Sequence, residues 1–141
     1  MLPAEGEREI KLYKNLDDLP DIPADQGRLN QVFTNLIHNA FEAIKAKEAP
    51  KEEFIFITTK KEKEHILVRI KDTGVGMSPE TQARLFDKYY TTKDSQHKRG
   101  LGMCLIKKII ESHQGNISFE TEEGKGTVFT LRFPMTNSVQ S

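Results

Sequence analysis

Residues 25 to 49 constrain the fold of this chain more than any other stretch. Leu29, Val32, Phe33, Leu36, Ile37, Ala40, Phe41 and Ile44 recur at the three-and-four spacing of a helix with one apolar face, held over four turns. Asp25 stands where an N-cap belongs, and the pattern fades in Lys45-Ala46-Lys47-Glu48-Ala49 before Pro50. A stripe that long needs a second layer to cover it, and the strand-like runs that follow supply one. In 141 residues there is room for one such two-layer core and not for two.

The rest of the chain punctuates itself. Residues 9 to 16 alternate weakly and predict an edge strand, followed by a Pro- and Asp-rich turn at 17 to 23. Runs at 54–59 and 65–71 predict an antiparallel hairpin around a charged turn, with Asp72 delivered at the end of the second strand. Ser78-Pro79-Glu80 opens a helix expected to reach about Tyr89, and residues 91 to 99 lack periodicity and read as a mobile loop. A helix from about Leu101 places Met103, Ile106, Ile109 and Ile110 on one face, with Gly115 expected as its left-handed cap. Residues 116–120 and 127–133 form a closing hairpin, stopped by Pro134. The expected fold class is α+β: a two-layer sandwich with a mixed, mostly antiparallel sheet and helices on one face. Residues 1–134 make the domain and 135–141 a flexible tail.

Composition closes off several function classes. Lys and Arg number 21, as do Asp and Glu, so the net charge of +0 gives no field to draw nucleic acid or a membrane surface. No apolar run approaches a membrane span, and the polar, acidic residues 1 to 9 do not read as a signal peptide. Cys104 cannot form an internal disulfide, suits a reducing compartment and reads as a small buried apolar residue; the expected location is cytoplasmic. His65, His97 and His113 lack metal-ligand spacing with another His or Cys, so a zinc site is not expected. His113 falls in a helix's last turn, where a donor suits the dipole. Neither a Ser-His-Asp nor a Cys-His arrangement can be nominated.

Other residues could carry chemistry. On the long helix Asn35, Asn39 and Glu42 cluster away from the apolar arc, with His38 at the margin. Two amides four apart stack carbonyl oxygens that can ligate a hard cation beside phosphates; a solvated face with incidental asparagines is an equal reading. In Asp72-Thr73-Gly74-Val75-Gly76, the glycines let the backbone turn and approach a flat ligand, and a carboxylate there matches the donor polarity of adenine's amino group. Such turns are mostly just turns. Lys98-Arg99-Gly100-Leu101-Gly102 precedes a helix start, where unpaired N–H groups favour anions and Lys93 adds charge; a basic surface loop is the plain alternative. Gly124-Lys125-Gly126-Thr127 alone is a hairpin turn.

Taken in order, these residues resemble a known family, the catalytic ATP-binding domain of bacterial two-component sensor histidine kinases, within the gyrase, mismatch-repair, heat-shock chaperone and kinase ATPase superfamily with its Bergerat-type fold. The resemblance runs from about Asp25 to Pro134. Residues 31–40 match its asparagine box, 72–77 its first glycine box, Gly100-Leu101-Gly102-Met103 the second and 124–127 the last. Residues 85–93 resemble the phenylalanine box, with a Tyr-Tyr-Thr-Thr-Lys ending like that of nitrogen-regulation sensor kinases. The resemblance implies ATP and Mg²⁺ as cofactors. Asn39 would ligate the metal and Asn35 would support it or touch phosphate. Asp72 would bind adenine with Thr127 assisting through water, and Gly74 and Gly76 would allow close approach to the base. Residues 91 to 99 would be a lid closing over phosphates held by Gly100 and Gly102, with Tyr90, Thr91, Thr92, Lys98, Leu101 and Met103 also binding the nucleotide. Asn35, Lys93 and Arg99 would serve catalysis by positioning and charge. Phe86 would tie the lid to the core or to a partner.

Two positions depart from the pattern: Lys98 stands where a glycine usually opens the second glycine box, and Glu42 where many members carry a basic residue. The chain also has no room for the helical hairpin that displays the phosphoacceptor histidine. The expected function is donation of the γ-phosphoryl group of Mg·ATP to a histidine on a separate dimerisation domain, with a response regulator as an indirect partner and the isolated chain a monomer. The alternatives are a stand-alone kinase of anti-sigma type, a hydrolase of gyrase or chaperone type, and a non-catalytic nucleotide-binding module. Hydrolase relatives carry a basic Glu where this chain has Asn35, and an amide cannot take a proton from water.

Overall fold

The structure is a computed structural model and describes residues 10–16, 24–48, 52–88 and 102–135. Its elements are β1 (Ile10–Asn15), α1 (Gln26–Lys45), β2 (Glu53–Glu62), β3 (His65–Asp72), α2 (Pro79–Arg84), α3 (Met103–Ser112), β4 (Asn116–Glu122) and β5 (Gly126–Pro134). One five-stranded sheet runs in the order β1-β2-β3-β5-β4. β1 pairs with β2 in parallel and the other neighbours are antiparallel. The expected fold class holds: a mixed sheet with helices on one face.

The periodicity of α1 is what builds the core. Leu29, Val32, Leu36, Ala40 and Ile44 are buried, with Phe33, Ile37 and Phe41 half-buried against them. They meet alternate residues of the sheet, Ile55, Ile66, Val68, Ile70, Ile117, Phe129, Leu131 and Phe133, and Ile106, Ile109 and Ile110 of α3. Fully burying one such side chain stabilises the fold by about 1.5–3 kcal/mol, which makes this layer the main support of everything above it. Asp25 caps α1 as expected, its side chain accepting from the Arg28 N–H at 3.2 Å. On the helix-free face Tyr13 stacks on Phe56 at 5.2 Å, with Phe54 beside both.

Several details differ from the sequence reading. The β2–β3 hairpin is longer, with pairing carried to Glu62 and His65. α2 ends at Arg84, where the Asp87 N–H turns back to the Arg84 carbonyl at 3.0 Å and the helix tightens into a turn. The left-handed residue after α3 is Gln114 (φ 60°) and not Gly115. Gly115 serves close packing instead, since a Cβ there would lie 2.5 Å from the Arg132 carbonyl oxygen. Cys104 is half-buried rather than buried. Met135 still belongs to the fold, its N–H donating to the Glu64 carbonyl at 2.8 Å. Residues 136–141 lie outside the described residues.

Candidate functional site

Asp72 is the last residue of β3, flanked in register by Ile55 of β2 and Thr127 of β5. It lies on the helix-covered face and is 6% exposed. Oδ1 accepts the Gly74 N–H at 2.8 Å, and a Thr127 backbone hydrogen bond reaches the carboxylate too. Burial nevertheless pushes its pKa from 3.8 up to about 6, against the pull of those two bonds and of the Lys47 charge. A carboxylate has about four acceptor positions, so two backbone donors leave capacity for a ligand's donor. An adenine amino group fits that requirement.

The loop after Asp72 is pinned on every side. Thr73 N–H donates to Phe54 O at 3.2 Å, Val75 N–H to Ala43 O of α1 at 3.0 Å, and Gly124 N–H to Val75 O at 2.7 Å. Met77 N–H donates to Thr121 Oγ1 at 3.0 Å, and that hydroxyl lies 2.9 Å from both Gly126 O and Thr127 Oγ1. A hydroxyl has one proton, which Thr121 gives to Gly126 O, so Thr127 donates to Thr121 and keeps its lone pairs for an incoming donor such as water.

The glycines turn out to be required by the protein itself. A Cβ on Gly74 would lie 2.6 Å from the Ala43 backbone, and one on Gly76 (φ 71°) 2.2 Å from the Glu122 carbonyl oxygen. On Gly126 (φ 133°) it would meet the Asp72 carbonyl oxygen at 2.0 Å. All three contacts hold α1, the β3 loop and the β4–β5 turn together. Close packing within the protein is thus one reason for glycine at Gly74 and Gly76, beside any approach of a flat ligand.

Asn35 and Asn39 flank the apolar stripe of α1 and are half-buried, not opposite it. Asn35 Nδ2 donates to Gln31 O at 2.8 Å, and Asn39 Nδ2 lies 3.7 Å from Met103 Sδ. That contact brings α1 to the start of α3, whose N-cap is Gly102 without a side-chain bond. A Cβ on Gly102 would meet nothing within 4 Å, so its surroundings are open. With Nδ2 toward Met103, the Asn39 carbonyl oxygen is the atom that would take a hard cation such as Mg²⁺. Among the described residues no cluster of three His, Cys, Asp or Glu could hold a metal. The fit is to a cation that takes a protein ligand or two and the oxygens of a phosphate ligand.

The fold thus brings Asp72, Gly74, Gly76 and Thr127 together, and joins Asn39 to Met103 beside Gly102. Tyr90, Thr91, Thr92, Lys93, Lys98, Arg99, Gly100 and Leu101 lie outside the described residues. Phe86 packs on Phe119 at 5.9 Å with the Lys107 ammonium 5.0 Å over its ring. His113 has a structural role: its Nε2 accepts the Asp25 N–H at 2.9 Å and its Nδ1 sits 2.8 Å from Ile109 O, which makes Nδ1 the protonated nitrogen. It staples the end of α3 to the start of α1. Sequence reasoning missed Thr121, Lys47 and Glu53. Glu53 lies inside a charged run with no sign that it faces the core. A cavity of about 340 Å³ near Arg69 and Thr58 opens on the other face of the sheet and contains none of these residues.

The model of the histidine kinase-, DNA gyrase B- and HSP90-like ATPase family matches residues 24–137. Sporulation kinase E of Bacillus subtilis (strain 168) is 40% identical over 126 residues, 89% of this chain and 16% of the kinase. The nucleotide-free catalytic domain of histidine kinase ThkA superposes with a TM-score of 0.74 at 32% identity, covering 90% of this chain and 80% of that one. Full-length ShkA in complex with AMPPNP gives a TM-score of 0.72 at 26% identity, covering 89% of this chain and 25% of that one. The chain spans a small part of the length of the curated kinase it matches.

Proposed function

The chain belongs to the histidine kinase-, DNA gyrase B- and HSP90-like ATPases, and on that premise we propose that it binds Mg·ATP and donates the γ-phosphoryl group to a histidine on a separate dimerisation domain. The observation that carries this reading is Asp72: an acceptor-only group, buried at a strand end and bonded to two backbone donors, with capacity left for the amino group of a base. AMPPNP bound to a structural neighbour supports the nucleotide.

In this reading Asp72 accepts from the adenine amino group, and Thr127 adds a contact through water. Asn39 offers its carbonyl oxygen to Mg²⁺, and Asn35, one turn earlier, supports that end. The bound metal would offset negative charge on the phosphates. Lys93, Lys98 and Arg99 supply further positive charge, with Tyr90, Thr91, Thr92, Gly100, Leu101, Gly102 and Met103 around the phosphates. Catalysis is then positioning and charge stabilisation, and the nucleophilic imidazole comes from the other domain. With an amide at Asn35 the chain has no base there to activate water, so hydrolysis is slow. A response regulator would receive the phosphoryl group in turn. The subtype, a nitrogen-regulation kind of kinase, is proposed from the Tyr89-to-Lys93 ending alone, and a place in the cytoplasm from the lone Cys104, which suits a reducing compartment.

The test incubates the chain with γ-labelled Mg·ATP and purified helical domains bearing a phosphoacceptor histidine. The expected product is acid-labile label on the acceptor, lost with Asp72→Ala. Acid-stable label on a serine would support the anti-sigma reading, and phosphate release without any acceptor would support the hydrolase.

A further inference from the structure

Lys47 follows α1 by two residues and turns back under the end of β3. Its ammonium donates to Thr73 O at 2.8 Å and to Glu53 Oε1 at 3.1 Å. Glu53 opens β2 and is 1% exposed. The Thr73 hydroxyl donates to the same Glu53 oxygen at 2.8 Å and accepts the Phe54 N–H at 3.0 Å. Thr73 is the residue after Asp72, and its N–H, carbonyl and hydroxyl are all engaged by Phe54, Lys47 and Glu53.

Stability alone is a weak reason for this arrangement. A buried Lys–Glu pair loses hydration on both sides, and an apolar pair of similar volume commonly holds two elements as well. What the polar version adds is direction: the Lys47 bond to the Thr73 carbonyl orients the peptide plane between Thr73 and Gly74, whose N–H is the donor to Asp72 Oδ1. From the other side, Gly126 allows β5 to lie against the Asp72 carbonyl. With both flanks fixed, the Asp72 side chain has one place to go, onto the Gly74 and Thr127 backbone bonds.

We propose that Lys47, through Glu53 and Thr73, is a positioning group that sets how strongly Asp72 discriminates a base carrying an amino donor. This rests on the assignment of Asp72 as the base-reading carboxylate. The Lys47 charge acts in the same direction, favouring the ionised, acceptor-only form of Asp72. The same ammonium pairs the neighbouring Glu53 carboxylate at 3.1 Å.

Calorimetry on the full chain with two probes tests the proposal: ADP, and the purine riboside diphosphate that lacks the 6-amino group. Wild type should prefer ADP by about tenfold or more, the discrimination one well-placed hydrogen-bonded base contact provides. In Lys47→Met the preference should fall to about threefold or less, with affinity for the amino-free analogue little changed. Lys47→Arg, which keeps the charge and donors, should restore it. If Lys47→Met fails to fold, Thr73→Val decides, since it removes the hydroxyl link and should narrow the preference in the same way. Equal loss of both nucleotides with the preference intact would make Lys47 merely structural and overturn the proposal. A wild type that binds neither nucleotide, or both equally, would remove the Asp72 assignment itself, an outcome visible before any Lys47 variant is made.

Discussion

The two ends of the candidate pocket are built differently. At the Asp72 end the loop from 72 to 77 is tied by backbone bonds to β2, α1 and the β4–β5 turn, and the carboxylate has two backbone donors of its own. At the Asn39 end, among the described residues, one cross-element tie is an amide at 3.7 Å from a thioether sulfur, a weak acceptor. The first end is held by the protein's own backbone; at the second, a phosphate chain and metal would add to what the protein supplies. A base is flat and invariant and rewards a rigid reader, whereas a phosphate chain with a metal brings its own charge and coordination. On the proposed reading, the closely tied loop is the one that would read shape.

The largest expected effect attacks the rigid end. Gly126→Ala sets a Cβ 2.0 Å from the Asp72 carbonyl at a φ of 133°, and should destabilise the fold by about 3 kcal/mol or more in denaturant melts. A loss under about 1 kcal/mol would show that the rigid end yields easily.

Of similar size is the cost of keeping Asp72 buried. Its folded pKa of about 6 lies above the unfolded value of 3.8, so the unliganded protein keeps the benefit of a protonated Asp72 below that unfolded value. The benefit is lost as pH rises through about 6, and by pH 7 the loss amounts to about 3 kcal/mol. The stability difference between wild type and Asp72→Asn should therefore shift in favour of the Asn variant between pH 4 and 7. Parallel pH curves for the two proteins would remove burial as the dominant influence.

A smaller effect sharpens the soft end. Asn39→Ala should weaken Mg·ATP about tenfold while altering metal-free nucleotide binding little and stability by under about 1 kcal/mol. Equal loss with and without metal would argue against ligation by Asn39. Smallest is His113→Phe, which removes the acceptor for the Asp25 N–H and should cost about 1 kcal/mol of stability with nucleotide affinity unchanged.

How far the sequence could be read follows the same division. The stripe on α1 announced the covering layer, and Asp72 at a strand end announced the acceptor. Both depend on local pattern, periodicity in one case and a turn in the other. Thr121, Lys47 and Glu53 depend on long-range register, which no window of sequence contains: Glu53 is the first residue of a strand inside a charged run, and pairing beside Ile10 of β1 with bonds to Lys47 and Thr73 accompanies its burial. Gly74 and Gly76 were legible as glycines that had to be glycine, but the backbones they make room for are those of Ala43 and Glu122. Asn35 and Asn39 stood out by type, while their half-buried place on the flank of the stripe depends on how α3 packs beside α1.

The measurement that bears most directly on the whole account is calorimetric titration with a non-hydrolysable ATP analogue, with and without Mg²⁺, on wild type and Asp72→Ala. Binding that strengthens with Mg²⁺ in wild type and disappears in a folded Asp72→Ala variant is the predicted result. Wild-type affinity in the variant, or no binding by a folded wild type, would contradict the assignment of Asp72 as the residue that reads the base.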